Sequence, residues 1–353
     1  MRTLAPRTAV LLAATLAITL ITPGCAQLLG RLNQSPGHPL FVVNALNQSV
    51  TVLEPKSGSV VKTIKLNSLS PHDITYLPKR GKVYVVNTGY QQLSILDSKT
   101  QTWMKNILTL PVEVDGHVDV TDGRTCMSCH RDPVGGMPVN LVPSTDEHFL
   151  YVANLHARKI SVIDTDRDEL VDTIPTQEEA LGLAIIGDEL WVSNRKKKSV
   201  SVIDIKSKNT VATLPAGEMP GFVIARPAHG EVYVCVPGDA KVLVFDAKER
   251  QLIREIPTSL GTRALAFNEA KGLGYAANYY TDSVTMFELA TGKVVKTETF
   301  KLNPDDVALS KDGSELYVTC TGTGEFLVLD AVSLKERRRF PAGPYPSDMV
   351  LVH

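Results

Sequence analysis

From Leu40 onward the chain alternates short apolar runs with clusters of Gly, Asn, Asp and Lys, and the alternation itself repeats. One phrase recurs, in which an apolar triplet ends in Asn or a substitute for it. It reads Phe41-Val42-Val43-Asn44, Tyr84-Val85-Val86-Asn87, Tyr151-Val152-Ala153-Asn154, Trp191-Val192-Ser193-Asn194, Tyr233-Val234-Cys235-Val236, Tyr275-Ala276-Ala277-Asn278 and Tyr317-Val318-Thr319-Cys320. After a polar turn comes a β-branched run such as Ser161-Val162-Ile163-Asp164 or Ser201-Val202-Ile203-Asp204. The period of two and the flanking turn residues predict antiparallel strands. Another strand precedes each phrase behind a Pro-containing turn, as in Pro71-His72-Asp73-Ile74, Met137-Pro138-Val139-Asn140 and Met219-Pro220-Gly221-Phe222, and a last strand closes each unit in sequences such as Thr173-Ile174-Pro175. The pattern leaves no room for long helices.

Four short strands in about 42 residues is the size of a propeller blade. The seven copies from Leu40 to His353 therefore predict an all-β, seven-bladed β-propeller over residues 39–353. The final segment, Tyr345 to Val352, matches the first strand of a unit and then stops, whereas Leu40 onward matches the other three strands without a first. Pairing the two ends completes one blade and leaves no open ring edge. A two-sheet sandwich would not produce seven near-equal periods. The repeat resembles that of the YVTN family of seven-bladed β-propellers, and the resemblance covers essentially all of Leu40 to His353.

One interval breaks the period. Asn87 and Asn154 are farther apart than the other equivalent positions by about 25 residues. The excess, roughly 111–135, carries no sustained period and reads as a loop inserted between the second and third blades. It contains Cys126-Met127-Ser128-Cys129-His130. Cys-x-x-Cys-His is the attachment signature of a c-type haem: two thiols at this spacing form thioethers to one porphyrin, and the following His ligates iron from one side. The competing reading is a zinc or redox Cys-x-x-Cys. Zinc needs two further ligands nearby, and the other three of the five cysteines, Cys25, Cys235 and Cys320, lie far off in sequence. Cys235 and Cys320 fall in non-adjacent blades, where a disulfide is not expected.

A loop leading into an inner strand lies at the mouth of the central channel, and only groups on that face reach its iron. His117, inside the insertion, is the first candidate for the distal ligand and His72 the second. His156, Met137 and Met219 share the face, whereas His148, His229 and His353 belong to the opposite one. An open sixth position is the remaining alternative. Arg124 and Arg131 are candidate donors to haem propionates. Asp73, Asn140, Asp306 and Asp348 recur at one position near the start of inner strands. They either ring the mouth with oxygen atoms for a cation or polar ligand, or cap backbone amides, the plainer reading.

The 353 residues are 43% hydrophobic and 21% charged, enough for a sizeable core. A formal net charge of -1 argues against a nucleic-acid partner, and the basic runs Arg195 to Lys198 and Lys335 to Arg339 read as solvated turns or strand ends. Residues 1–24 have the form of a signal peptide: Arg2 and Arg7 precede an apolar run from Ala9 to Ile21 that is short for a membrane span. The run ends in Ile21-Thr22-Pro23-Gly24-Cys25-Ala26, which resembles a bacterial lipobox. That resemblance implies lipidation at Cys25, with ordinary cleavage near Ala26 as the alternative and 25–38 as a linker. Either way the expected location is outside the cytoplasm, periplasmic or as an outer-membrane or cell-surface lipoprotein.

These readings converge on an exported protein carrying one covalent haem c that transfers single electrons between redox protein partners, anchored to a membrane through Cys25. One haem motif, no second cofactor motif and no recognisable acid-base set support it. The alternatives are a haem-dependent oxidoreductase or a subunit of one, since similar propellers occur beside haem in nitrite reductases and amine dehydrogenase complexes, and a partner-binding assembly propeller.

Overall fold

In the computed structural model the described residues are 38–110 and 136–353. They form seven antiparallel four-stranded sheets. Six sheets run outward in chain order from an inner strand. In the remaining one the C-terminal Pro346–Leu351 is innermost and pairs with Leu40–Asn44. This is the seven-bladed propeller expected from the repeat, with its two ends joined in one blade. Among the described residues the only helices are three-residue 3₁₀ turns. In ring order the inner strands are Pro346–Leu351, Pro71–Leu77, Pro138–Pro143, Ala180–Ile186, Val223–Arg226, Thr262–Asn268 and Pro304–Leu309, belonging to blades one to seven.

Burial follows position in the blade. The second strands are sandwiched between neighbouring sheets and buried along nearly their whole length, as in Leu40–Asn44 and Glu231–Val236. The outermost strands, such as Ser59–Lys65 and Gln251–Pro257, are largely exposed. Apolar side chains collect in clusters between consecutive blades: Phe41 and Val43 pack with Val83 and Val85, and Tyr151 and Ala153 with Leu190 and Val192. Burying a Leu, Val or Phe side chain stabilises by about 1.5–3 kcal/mol. Most of the core is thus inter-blade, and an isolated blade cannot bury its faces.

The recurring Asn has a structural role. The Nδ2 groups of Asn44, Asn87, Asn154, Asn194 and Asn278 donate to the hydroxyls of Thr51, Ser94, Ser161, Ser201 and Thr285 at 2.7–2.9 Å. Each bond ties the end of a blade's second strand to its third, and these Asn residues are fully buried. Where the fifth and seventh blades carry Val236 and Cys320 instead, the hydroxyl positions are Leu243 and Leu327. The partners change together because a buried hydroxyl or amide left alone costs its desolvation, while an apolar pair costs nothing. Cys235 and Cys320 are free thiols, as expected. Burial raises both, Cys320 to about 12, so neither is a thiolate at neutral pH.

The two basic runs are solvated. Arg195 to Lys198 form a turn, where Lys196 pairs with Glu178 and Lys198 with Glu218. Arg337, Arg338 and Arg339 lie on the outer strand Glu336–Pro341 and pair with Glu315, Asp330, Glu325 and Glu336.

Candidate functional site

The inner strands all begin at one mouth of the channel, and their first residues share a geometry. Ser70, Met137, Glu179, Met219, Asn303 and Tyr345 have φ between 49° and 57°, and Gly261 has φ 82°. This left-handed turn is followed by a register shift in six of the seven strands, for example between Pro71 and Ile74 and between Pro304 and Val307. Such a bulge leaves residues out of the ladder and re-aims their side chains. Two positions result on each strand. One, occupied by His72, Val139, Leu181, Gly221, Arg263, Asp305 and Ser347, lines the channel. The next, occupied by Asp73, Asn140, Gly182, Ala264, Asp306 and Asp348, faces the following blade, whereas Phe222 at this position of the fifth blade turns its ring into the channel towards His72.

The polar residues of the second position join five consecutive blades. Asp306 accepts from the Met349 amide at 3.1 Å, and Asp348 from the Ile74 amide at 3.1 Å. Asp73 accepts from the Leu141 amide at 3.0 Å and from the Asn140 side chain, and Asn140 Oδ1 accepts from the Leu183 amide at 2.8 Å. The carboxyl oxygens are therefore engaged by backbone amides, and amide capping is the correct reading of this motif. Where Gly182 interrupts the series, the fourth and fifth blades close in: a Cβ there would lie 2.4 Å from Gly221 O and 2.7 Å from Phe222 Cα. Ser193 Oγ bridges that junction, accepting from Gly182 N at 2.8 Å and donating to Gly221 O at 2.6 Å.

Burial pushes the carboxyl of Asp306 up to about 7. Burial, reinforced by the neighbouring Asp348, raises Asp73 well above the carboxylate range, and burial with Asp306 alongside does the same for Asp348. Asp305, also raised by burial, is opposed by Arg263, whose Nη1 donates to it at 2.7 Å. Arg263 in turn lies 3.8 Å over the Tyr279 ring, and Tyr279 meets Tyr345 through their hydroxyls at 3.3 Å.

The mouth opens into a cavity of about 520 Å³. Its lining takes His72, Arg263 and Asp305 from the second, sixth and seventh blades, and Met137, Leu181, Leu183, Met219 and Phe222, mostly apolar but with Asn140 and Arg195 among them, from the third to fifth. The imidazole of His72 is nearly parallel to the Phe222 ring, with planes 15° apart and centroids at 6.4 Å. Its Nδ1 is enclosed without a hydrogen-bond partner, which leaves Nε2 as the ring nitrogen accessible from the cavity.

Of the residues singled out from sequence, His72, Met137 and Met219 line this cavity. His156 lies in a turn of the same face, its amide donating to Gly136 O at 3.1 Å. His148 pairs with Asp166 and His229 with Glu269, both at the opposite end of the strands, and His353 follows the last strand there. Cys25, His117, Arg124, Cys126, Cys129, His130 and Arg131 lie outside the described residues. The two ends of the inserted segment are described: a Cβ on Gly136 would lie 2.4 Å from Leu110 Cδ1, and Gly136 N donates to Gln91 Oε1 at 2.7 Å. The insertion thus leaves and re-enters the propeller at neighbouring points, one residue before the cavity-lining Met137. Phe222, Arg263 and Asp305 were not singled out from sequence. Aligning Arg263 and Asp305 with His72 in the repeat is the signal that finds them.

Among the described residues no group of His, Cys, Asp and Glu is arranged to hold a metal ion, and no helix is long and apolar enough to cross a membrane. No protein-family model matches the chain, and no curated protein matches it significantly. Solved structures do. A functionally unknown protein from Desulfotomaculum acetoxidans superposes with TM-score 0.74 at 13% identity, over 90% of this chain and 99% of that one. Hydrazine synthase of Kuenenia stuttgartiensis gives 0.67 at 17% identity, over 91% and 100%. The dihydro-haem d1 dehydrogenase NirN, in complex with DHE, gives 0.64 at 15% identity, over 91% and 76%. At these identities the likeness is one of fold, and the chain is an all-β seven-bladed propeller.

Proposed function

We propose that the chain is an exported mono-haem c-type cytochrome built on a YVTN-type propeller, which passes single electrons between redox protein partners. The observation that carries this reading is a Cys-x-x-Cys-His motif in the one long interval of the repeat, an interval whose ends meet at Leu110 and Gly136 beside the mouth cavity. Cys126 and Cys129 would hold the porphyrin by thioethers and His130 would ligate its iron, with His117 the first and His72 the second candidate for a further iron ligand. Haem supplies reversible one-electron exchange. The described residues suit a flat, largely apolar group with an acidic edge. The mouth offers the accessible Nε2 of His72, an apolar wall at Leu181 and Phe222, and the guanidinium of Arg195 at the rim.

Export is part of the proposal, since thioether attachment resembles that of cytochromes matured outside the bacterial cytoplasm, and lipidation at Cys25 anchors the protein to a membrane. That NirN is a dihydro-haem d1 dehydrogenase adds fold-level support for a tetrapyrrole. The test is a pyridine haemochrome assay on the purified full chain. One covalent haem per chain is expected in the wild type and none in Cys126→Ala with Cys129→Ala; an unchanged haem spectrum in that double variant refutes the reading.

The cavity favours a second reading, a haem-dependent oxidoreductase that binds a small substrate at the mouth. A ferrous form that binds carbon monoxide supports it, and a low-spin spectrum indifferent to carbon monoxide supports the carrier.

A further inference from the structure

We infer that the mouth cavity is a binding site for a small, neutral, hydroxylated aromatic molecule, held flat against Phe222 and oriented by the ring nitrogen of His72. The inference rests on the choice of His117 over His72 as the further iron ligand, which leaves His72 and the mouth cavity open.

Three features define the ligand class. The first is shape and polarity. A cavity of about 520 Å³ with Leu181, Leu183 and Phe222 on one wall takes a one- or two-ring molecule by apolar burial. Phe222 presents a ring face parallel to that of His72, and the thioethers of Met137 and Met219 at the rim make favourable contacts with ring edges. The two methionines reach the cavity because each occupies the left-handed turn before its strand.

Charge is the second. Arg263 is neutralised by Asp305 at 2.7 Å, and Asp73, Asp306 and Asp348 turn their oxygens to backbone amides of neighbouring strands. Around His72 the polar lining therefore presents a closed ion pair and capped carboxyls, which suits a neutral group there, while Arg195, which also lines the cavity, is its one cation without an ion pair among the described residues.

The third is the hydrogen-bonding requirement. His72 has no hydrogen-bond partner for its ring among the described residues, and its Nδ1 is enclosed. Nε2 is left facing the cavity, as a donor in one neutral tautomer and an acceptor in the other. A hydroxyl satisfies either, because it both donates and accepts. A ligand without a polar group would bury that nitrogen unpaired and bind about tenfold more weakly.

The test uses 2-naphthol and its isosteric apolar counterpart 2-methylnaphthalene, measured by equilibrium dialysis against the full chain and against Cys126→Ala with Cys129→Ala. Saturable binding of one 2-naphthol per chain is expected in both proteins, about tenfold tighter than 2-methylnaphthalene. This preference opposes the greater hydrophobicity of the methyl compound, so it reports the hydrogen bond. Phe222→Ala weakens both probes. His72→Phe, which keeps a flat ring, brings the two affinities to within about twofold of each other. Met219→Trp, which fills the cavity from its rim, abolishes binding and serves if His72→Phe does not fold; circular dichroism and Tm establish folding for each variant. Absence of saturable 2-naphthol binding, or an unchanged preference in folded His72→Phe, or undiminished binding in folded Met219→Trp, overturns the inference. Binding that disappears in the double-cysteine variant places the probe on the haem and also overturns it, while leaving the cytochrome reading intact.

Discussion

The carboxyl groups of Asp73 and Asp348 meet at one amide: Ile74 N donates to Asp73 Oδ1 at 2.9 Å and to Asp348 Oδ2 at 3.1 Å. Asp306 and Asp348 converge in the same way on Met349 N, at 3.1 and 2.7 Å. Three carboxyls in contact across blades seven, one and two cannot all ionise without mutual repulsion, so in the folded state they hold protons to higher pH than in the unfolded chain. Since Asp348 lies on the strand that closes the ring, the repulsion falls on the joint between the chain's two ends.

Stability should therefore fall as pH rises. A carboxyl whose folded pKa exceeds its unfolded value binds more protons in the native state. Its contribution is full below the unfolded value near 3.8 and is lost as pH climbs towards about 7, the value for Asp306. Thermal melts of the full chain are expected to show a lower Tm at pH 8 than at pH 5.5 by several degrees, on the scale of about 2–4 °C per kcal/mol. Asp348→Asn can still accept from Ile74 N while donating to a neighbouring carboxylate, as Asn140 does to Asp73. It should raise Tm at pH 8 and flatten the profile. A Tm in the wild type that rises from pH 5.5 to 8 would contradict this account.

The Asn-to-hydroxyl bond within each blade predicts a coupled pair. Asn194→Val alone leaves Ser201 buried and unpartnered, and Ser201→Leu alone leaves Asn194 Nδ2 only its long 3.4 Å bonds to Val192 O and Ser199 Oγ; each should cost about 1–3 kcal/mol. The double variant reproduces Val236 with Leu243 of the fifth blade and should cost less than the two singles together by at least about 1 kcal/mol. Urea denaturation of the four proteins measures this, and strict additivity refutes it.

Gly182→Ala should destabilise the ring by about 1–3 kcal/mol or more. The added methyl meets backbone atoms of Gly221 and Phe222 at 2.4 and 2.7 Å, and these cannot move without displacing the fifth blade. The loss is read as a lower urea midpoint with an unchanged m-value. Gly187→Ala is a poor control because its φ is +59°, but Gly221, whose Cβ would meet nothing closer than 3.5 Å, is a suitable one.

Under the proposed haem reading, the two candidates for the distal iron ligand separate two substitutions. Loss of the low-spin spectrum in His117→Ala with its retention in His72→Ala is expected from the preferred assignment. The reverse result makes His72 the ligand, and a spectrum unaffected by either identifies a third group or an open position.

Much of this was legible in the chain. A period of about 42 residues reports one blade because each blade meets the same requirement, two apolar faces pressed between neighbours. The Cys-x-x-Cys-His motif on which the haem proposal rests is likewise local, since thioether chemistry depends on the spacing of Cys126 and Cys129 and not on the surrounding fold. Ring closure was readable because Tyr345 to Val352 and Leu40 to Asn44 are complementary fragments of one unit. The Asp and Asn positions were visible as a repeat, but their partners were not: Asp73 and the Leu141 amide belong to different blades and meet only when the ring is formed. The same holds for Gly182, whose reason is the backbone of the fifth blade, and for Arg263 and Asp305. What tertiary structure alone decided is the two-sided cavity, polar at His72, Asp305 and Arg263 and apolar at Leu181 and Phe222. It arises between blades, from side chains that sequence separation keeps apart, and no local pattern encodes how closely two blades approach.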